Sequence, residues 1–317
     1  MAYRNGGAGR ADWILRLSDK VSNTHTPSRE TVGMWLGFVG VAIFAGTVPA
    51  TRLAVAGLDP WFVTTGRAAV AGILSAIILL ALRRPLPSWP QLRLMLVAAI
   101  TMVFGFAGLM ALSLQTVPAS HGGVVLGVLP LSTAAAAALL LGERPSLRFW
   151  AFALAGTAVV VGFALRDSGG HLASGDIYMF AAAICSSIGY VYSGHLSKQM
   201  PGWEVICWIV VLVLPLTLPL SFLFAPHHPE TVAASAWIGF AYVALFSMFI
   251  GFFAWNAGLA MGGVARVSQV QLFQTFITLG LSATINRETV DPATIAAAIA
   301  VVFIVALGRK TRIKPGT

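Results

Sequence analysis

Charged residues are scarce in this chain of 317 residues. Asp, Glu, Lys and Arg make up only 10% of it and hydrophobic residues 57%, whereas a soluble domain is about a quarter charged. With a mean hydropathy of +0.83, the chain must bury most of its surface in lipid, which excludes a soluble globular fold. There are only two cysteines, Cys185 and Cys207, and both lie inside apolar runs, so neither a disulfide nor redox chemistry is indicated.

Acidic side chains are missing from the middle of every apolar run. All eleven lie in tails, in loops or at the ends of runs: Asp12, Asp19, Glu30, Asp59, Glu143, Asp167, Asp176, Glu204, Glu230, Glu288 and Asp291. Because an acidic group inside the membrane typically marks a proton relay, its absence argues against proton movement through a carboxylate. The runs also hold no acid/base pair and no His cluster with ligand spacing, so we predict no enzyme, no metal site and no cofactor.

Ten apolar segments account for most of the chain. A helix of roughly 20 residues crosses a hydrocarbon core of about 30 Å, and the punctuation by Gly, Pro and charge cuts the sequence into pieces near that length. The segments are 33–52, 61–82, 92–114, 119–141, 148–165, 176–197, 204–224, 236–259, 264–286 and 292–308. They predict an all-α membrane protein with ten transmembrane helices, a tail at 1–32 and a second tail at 309–317.

The basic residues indicate how these helices are oriented. The net charge is +9, but the Lys and Arg residues are scattered between apolar runs and form no aromatic-interleaved patch, so nucleic acid is not an expected partner. Sixteen of the twenty fall in the two tails and in every second loop, and the opposite loops hold only Arg52, Arg166 and Arg287. By the positive-inside rule both termini are cytoplasmic. We expect a multi-pass protein of the cell inner membrane, acting as a monomer in the lipid bilayer.

The two halves of the sequence resemble each other. An Ala-rich segment that ends in an acidic turn, Ala119 to Arg144, returns at Ala265 to Glu288, and FGFAGLMALSL from Phe104 parallels IGFFAWNAGLA from Ile250. The offset of about 145 residues divides the chain into five-helix repeats at 33–165 and 176–308. Because five is odd, the two copies enter the membrane from opposite sides. This inverted-repeat plan serves alternating access around a site near the midplane.

Two motifs carry a resemblance to a known family. They are GER at Gly142 to Arg144 and WNAGLAMGGVARVSQVQLFQ from Trp255. With them the chain resembles the EamA carriers of the drug/metabolite transporter superfamily over residues 33–308, and it is most similar to amino-acid exporters of the YddG type. One departure is Thr275, which stands near the position where a proline equivalent to Pro130 is expected in the ninth segment.

The resemblance implies a cavity lined by helices 1, 3, 4, 6, 8 and 9, with helices 5 and 10 at the periphery. It implies a small-molecule substrate, and we expect export of neutral and aromatic amino acids. Nucleosides, sugars or amphiphilic compounds are the alternative solutes. A membrane scaffold that does not transport is a further alternative, and the inverted repeats argue against it.

Polar residues at helical spacing are the candidates for contact with substrate. The ninth segment carries Ser268, Gln271, Thr275 and Thr278 at spacings of three, four and three, with Gln274 beside them. A glutamine amide both donates and accepts hydrogen bonds, which suits the carboxylate and ammonium of a zwitterion. The alternative is hydrogen bonding between helices.

Four more candidates lie in other segments. In the sixth segment Tyr190 is placed to stack on a substrate side chain, with Ser187 nearby, and Thr47 lies in the first segment. Arg67 lies about six residues inside the second segment, where it could bind a carboxylate. Its structural alternatives, which we favour, are an outward-reaching side chain or a pair with Asp59.

Gating residues are predicted where helices can bend or meet the membrane interface. Pro49 and Pro130 free backbone carbonyls and permit bending, although close helix packing is the simpler explanation. Trp255 and Asn256 lie near the cytoplasmic end of the eighth segment. For them a role in an inner gate competes with anchoring in the aromatic belt.

Overall fold

The computed structural model describes residues 29–142, 144–167, 171–262, 267–309 and 313–314. Within these ranges the backbone is helical apart from short turns and one pair of two-residue strands. The first 28 residues of the predicted N-terminal tail and Glu143 of the GER motif lie outside the described residues. So do residues 263–266, which include the start of the predicted ninth segment at 264, and most of the C-terminal tail.

Ten helical segments follow one another in the described chain, and we number them α1 to α10. Their bounds are α1 Arg29–Ala45 and Thr47–Val55, α2 Pro60–Ala81, α3 Trp89–Ser113, α4 Ala119–Leu126 and Leu129–Leu141, α5 Leu147–Asp167, α6 Ser174–Leu196, α7 Gly202–Leu223, α8 Ala234–Gly262, α9 Ser268–Phe273 and Gln274–Ile285, and α10 Pro292–Arg309. A 3₁₀ turn at Pro229–Thr231 precedes α8. Strand β1, Arg144–Pro145, pairs antiparallel with β2, Ile313–Lys314.

Seven of the described helices are long and apolar enough to cross a membrane, namely α1, α2, α3, α5, α6, α7 and α8. The two parts of α4 meet at 42° and together would make an eighth span. The apolar parts of α9 and α10, Val270–Ile285 and Pro292–Gly308, are shorter. The all-helical membrane class is therefore confirmed. Among the described residues, fewer helices than the ten expected are long enough to cross a membrane without a break.

Successive loops alternate between two ends of the bundle. At one end, which we call the Lys198 end, the Gln91 amide donates to the Gln199 side chain at 3.0 Å, and Arg84 lies 3.7 Å from the Glu204 carboxylate. The loops after α1, α3, α5, α7 and α9 gather at the opposite end, which we call the Glu288 end. Each helix thus runs antiparallel to its neighbour in sequence, as short connections require.

Besides α1, which is interrupted by a turn at Gly46, four helices depart from regular α geometry in their middle. Helix α3 is wound as a π-helix over Ile100–Phe106, and α8 over Tyr242–Ile250. Helix α4 bends just before Pro130, whose ring cannot continue the preceding turn, and α9 changes from 3₁₀ to α at Gln274. The change of winding in α9 takes place without a proline, next to Thr275. Segments of π-helix occur frequently at functional sites.

Glycines bring α1 and α8 into backbone contact. A Cβ added at Gly33 would lie 2.2 Å from the Gly262 nitrogen, and one added at Gly258 would lie 2.5 Å from the Gly37 nitrogen. Both distances are far below van der Waals contact. The two helices therefore cross with their main chains touching, as small residues four apart allow in membrane helices.

Candidate functional site

Three adjoining cavities lie along the middle of the bundle, and Leu129, Tyr190 and Gln274 take part in the walls of all three. The largest, which we call the vestibule, has a volume of about 570 Å³ and reaches Ser197 and Lys198 at the Lys198 end. Small-molecule sites occupy about 300 to 1,000 Å³. The vestibule is therefore large enough to admit a metabolite.

The two inner cavities are much narrower. The central pocket has a volume of about 60 Å³ and the side pocket about 40 Å³. Because a water molecule needs about 10 to 15 Å³ measured in this way, each pocket has room for a few waters at most. A metabolite that enters the vestibule can advance further only if the surrounding helices move.

A polar cluster of three helices lies on the wall of the central pocket. Arg67 of α2 donates from Nη2 to the Ser247 Oγ of α8 at 3.3 Å and lies 3.6 Å from the Met248 sulfur. The Ser247 hydroxyl is also 2.7 Å from the Thr47 hydroxyl of α1. The Arg67 Nε and Nη1 have no hydrogen-bond partner in the described chain.

The position of Arg67 differs from both structural alternatives considered from the sequence. Its exposed fraction is 4%, so it does not reach outward to water. Asp59 is not its partner, because that carboxylate caps α2 by accepting from the Trp61 and Phe62 N–H groups at 2.7 and 3.2 Å. The guanidinium instead lies against the central pocket.

The remaining walls of the central pocket are mostly apolar. The two π-helical segments contribute Met102 and Phe106 from α3 and Met248 from α8, and further apolar side chains come from Phe44, Phe252 and the α7 residues Ile206, Ile209 and Val210. An apolar wall beside one cationic group suits a solute with an apolar body and one polar end.

Side chains of α9 line the side pocket, on the face predicted to look inward. Gln271, Gln274 and Thr275 contribute to its wall, and Gln271 and Gln274 also line the vestibule. Thr278 lines it too, but its hydroxyl donates to the Ala45 carbonyl of α1 at 2.9 Å, which is a contact between helices. The side chain of Ser268 lies outside the described part of the chain.

The two candidates on α6 have different environments. Tyr190 borders the central pocket, the side pocket and the vestibule. Ser187 is buried away from them: its hydroxyl lies 2.8 Å from that of Ser132 in α4 and donates to the Ala183 carbonyl. Its contacts match the interhelical alternative.

Three of the four predicted gating residues line a cavity, and the fourth does not. Pro130 lines the side pocket and the vestibule, and Trp255 and Asn256 line the vestibule. The Asn256 amide donates to the Phe252 carbonyl one turn earlier at 2.7 Å. Pro49 is buried near the Glu288 end, where its carbonyl accepts from the Asn286 amide at 3.2 Å.

Polar contacts close the Glu288 end. The Glu288 carboxylate accepts from the Ala119 and Ser120 N–H groups at 2.7 and 2.8 Å and so caps the first turn of α4. The His121 Nε2 lies 2.8 Å from the Asp176 carboxylate, and both side chains are buried. These contacts join helices of the first half of the chain to elements of the second.

A further pair at this end ties α5 to α10. Asp291 accepts hydrogen bonds from the Thr294 hydroxyl and N–H group and from Arg166 Nη1, the last at 3.2 Å. The Thr294 contacts, with Arg166 beside them, lower the pKa of Asp291 to about 2. The carboxylate is therefore charged at physiological pH, which keeps the cap of α10 in place.

Ser247 was not among the residues singled out from the sequence. The signal that could have identified it is that Ser247 is the single polar side chain between Val243 and Phe253. An isolated hydroxyl in such a run needs a partner in a membrane helix. Here Arg67 and Thr47 are those partners.

A bundle of apolar helices around a cavity that is wide at one end and closed by polar contacts at the other is the architecture of a membrane transporter. The chain belongs to the EamA-like transporter family, whose model matches it twice, over residues 31–165 and 173–308.

Relatives named as transporters agree with this class, and a solved structure shares the fold. The chain is 46% identical to the uncharacterized transporter YdeK of Bacillus subtilis (strain 168), over 89% of this chain and 98% of YdeK. It is 27% identical to a probable terminal-alkyne amino-acid exporter of Streptantibioticus cattleyicolor, over 78% and 85% of the two chains. A protein of known crystal structure, 22% identical, shares the fold with a TM-score of 0.60 over 87% of this chain and 95% of its own.

Proposed function

We propose that this protein is a secondary transporter of the cell inner membrane that exports small metabolites by alternating access, with neutral and aromatic amino acids as its main substrates. The observation that carries the proposal is the amphipathic cavity, in which the amides of Gln271 and Gln274 and the Tyr190 ring stand beside apolar walls. The amides can bond both polar groups of an amino acid, and the apolar walls accept its side chain.

The transport mechanism in this proposal rests on two inverted repeats of five membrane-crossing helices. The double match of the family model supports it. The irregular segments support it as well, because the π segments Ile100–Phe106 and Tyr242–Ile250 lie about 145 residues apart. So do the bend of α4 and the change of winding in α9. Exchange of the two halves' conformations would then move the opening from one end to the other.

The direction of export follows from the orientation proposed for the chain. The Lys198 end carries the excess of Lys and Arg, so we place it and both termini in the cytoplasm. The structure then corresponds to an inward-open state, with the vestibule facing the cytoplasm and the Glu288 end closed. Among the described residues that line the cavities none is acidic, so the proposed cycle uses no carboxylate in the cavity.

The substrate class is supported by chemistry rather than by sequence identity. The name of the Streptantibioticus relative includes an amino-acid substrate, but that relative is only 27% identical. Liposomes that contain the purified protein and are loaded with labelled phenylalanine, methionine or threonine should release or exchange the label faster than equally loaded liposomes without protein. No protein-dependent flux across a broad amino-acid panel would overturn this part, and flux of nucleosides or sugars instead would favour the alternative solutes.

A matched pair of variants tests the cavity itself. Gln274→Leu should lower amino-acid flux about tenfold or more, because a half-buried amide that bonds the solute is lost from the cavity wall, an effect of about 1.4 kcal/mol. Gln199→Leu makes the same change in an exposed loop outside the cavities, where the Gln199 side chain accepts from the Gln91 amide, and should leave flux unchanged. Equal flux in the two variants would contradict a role for Gln274 in binding.

A further inference from the structure

The charged side chains that line the proposed path are all positive. Of the described residues around the vestibule and the two inner pockets, Lys198 at the mouth and Arg67 at the inner end carry charge. Lys198 is exposed, whereas Arg67 is buried in the central pocket. A solute that travels between these two groups meets a positive field, which attracts anions and repels cations.

Some N–H donors of the Arg67 guanidinium have no acceptor among the described residues. A guanidinium has five N–H donors in a planar fork that fits a carboxylate through two parallel hydrogen bonds. In the described chain one of them goes to Ser247, and Nε and Nη1 have no hydrogen-bond partner. A buried cation without an anion is costly unless something supplies the missing charge. The central pocket borders these donors, and it would hold that anion once the surrounding helices have moved apart.

We propose that this transporter recognises its solute by a carboxylate bound to Arg67, and that it does not require a free ammonium group. Its substrates would then include apolar monocarboxylates such as 2-oxo acids and N-acylated amino acids, carried as well as or better than the zwitterionic amino acids. The inference rests on the proposed function, because it assumes that the cavity is the transport site. It names the solute group that the cavity selects.

The reason lies in the balance of charge in the occupied pocket. A carboxylate neutralises Arg67, and a solute of net charge −1 leaves the pocket neutral. A zwitterion adds a second positive group, for which the described lining residues offer the Ser247, Thr47 and Tyr190 hydroxyls and the Gln274 amide but no anion. Hydroxyl and amide oxygens can accept from an ammonium, yet they cannot neutralise it in a site of low dielectric constant.

Four compounds with the same aromatic ring test this proposal. They are N-acetylphenylalanine, phenylpyruvate, phenylalanine and phenylalaninamide, and each would be measured for binding by thermal shift of the purified protein and for flux in proteoliposomes. We expect the first two to bind and be carried at least as well as phenylalanine. Phenylalaninamide, which has lost the carboxylate, should be weaker than the acids by about 30-fold or more.

Variants of Arg67 test whether this side chain produces the preference for acids over the amide. Arg67→Gln should abolish the preference for acids over the amide, and Arg67→Lys should retain part of it, because lysine keeps the charge and loses the fork. The control is Arg84→Gln, which removes an arginine from the Lys198 end outside the cavities, where it pairs with Glu204. That variant should keep the wild-type ratio of acid binding to amide binding.

The possible outcomes separate the inference from the function on which it rests. Equal binding of amide and acids by the wild-type protein would overturn the inference, as would at least tenfold better binding of phenylalanine than of N-acetylphenylalanine. An unchanged ratio in Arg67→Gln would also overturn it. If phenylalanine is still carried in these cases, the proposed function stands. Failure of all four compounds to bind would overturn the inference, and the broad amino-acid panel would then decide separately whether the proposed function stands. Because the wild-type panel is decisive alone, the test does not depend on a variant that folds.

Discussion

Pro49 and Thr278 meet at one backbone carbonyl. In a regular helix the Ala45 carbonyl would accept from the N–H of residue 49, but proline has none. The Thr278 hydroxyl of α9 donates to that carbonyl at 2.9 Å, and both residues are buried. A proline in the first half of the chain is thus compensated by a hydroxyl in the second half. This contact accounts for Thr278 without any role in binding the solute.

At the residue scale we predict that Thr278→Val destabilises the protein by about 1 kcal/mol, because the isosteric change leaves a buried carbonyl without its donor. In a Pro49→Ala background the same change should cost close to nothing, since the restored N–H can bond the carbonyl. Unfolding in detergent measures both values. The control is Thr284→Val, whose exposed hydroxyl bonds only within its own helix. An equal loss of stability from Thr278→Val in both backgrounds would contradict the compensation of Pro49 by Thr278.

Helices α1 and α8 depend on the absence of side chains where they cross. Gly258 of α8 lies against the main chain of α1 at Gly37, so no rotamer change could accommodate a methyl group there. Both helices also contribute to the cavities, α1 through Phe44 and Thr47 and α8 through Ser247 and Phe252. The close crossing therefore positions two walls of the central pocket.

At the element scale, Gly258→Ala should destabilise the protein by about 2 kcal/mol, because the two backbones must move apart to admit the methyl group. Gly280→Ala is the matched control in α9, where an added Cβ meets nothing within 4 Å. There the better helix propensity of alanine should leave stability unchanged or raise it by up to about 1 kcal/mol. Thermal unfolding of the two variants in the same detergent makes the comparison. A similar loss of stability in both variants would contradict the close crossing of α1 and α8.

The whole molecule is asymmetric between its two ends. The vestibule reaches the Lys198 end, whereas the Glu288 end is closed by contacts between parts of the chain far apart in sequence. Glu288 is central to this closure, because a carboxylate on the first N–H groups of α4 also interacts favourably with the helix dipole. In an alternating-access cycle such contacts must break when the opening moves to the other end.

At this scale we predict that Glu288→Ala raises the population that is open at the Glu288 end. A cysteine at Leu129, which borders all three cavities, would report it in a background with both native cysteines replaced by alanine. In right-side-out vesicles a membrane-impermeant maleimide should react about fivefold faster in the Glu288→Ala variant, the equivalent of about 1 kcal/mol for a lost helix cap. Glu230→Ala, an exposed carboxylate at the same end, is the control. Equal rates would contradict the role given to Glu288.

The membrane class and the family could be predicted from local properties of the sequence. Apolar runs, Pro and Gly punctuation and the motif that begins at Trp255 each depend on residues close together in the chain. The face of α9 that lines the side pocket was also predictable, because helical periodicity places Gln271, Thr275 and Thr278 on one side. Which of these residues contacts the solute stays a prediction.

The sequence by itself determined the helical membrane class, whereas the tertiary structure decided which polar groups find partners in the protein. Ser187 is bonded to Ser132, and Asp176, recognised from sequence only as a helix-end residue, is buried against His121. Arg67 lies against Ser247, 180 residues away in the chain. The physical reason is that apolar burial in lipid is specified by each helix alone. A polar group's partner depends on which helices pack together, and local periodicity does not encode that.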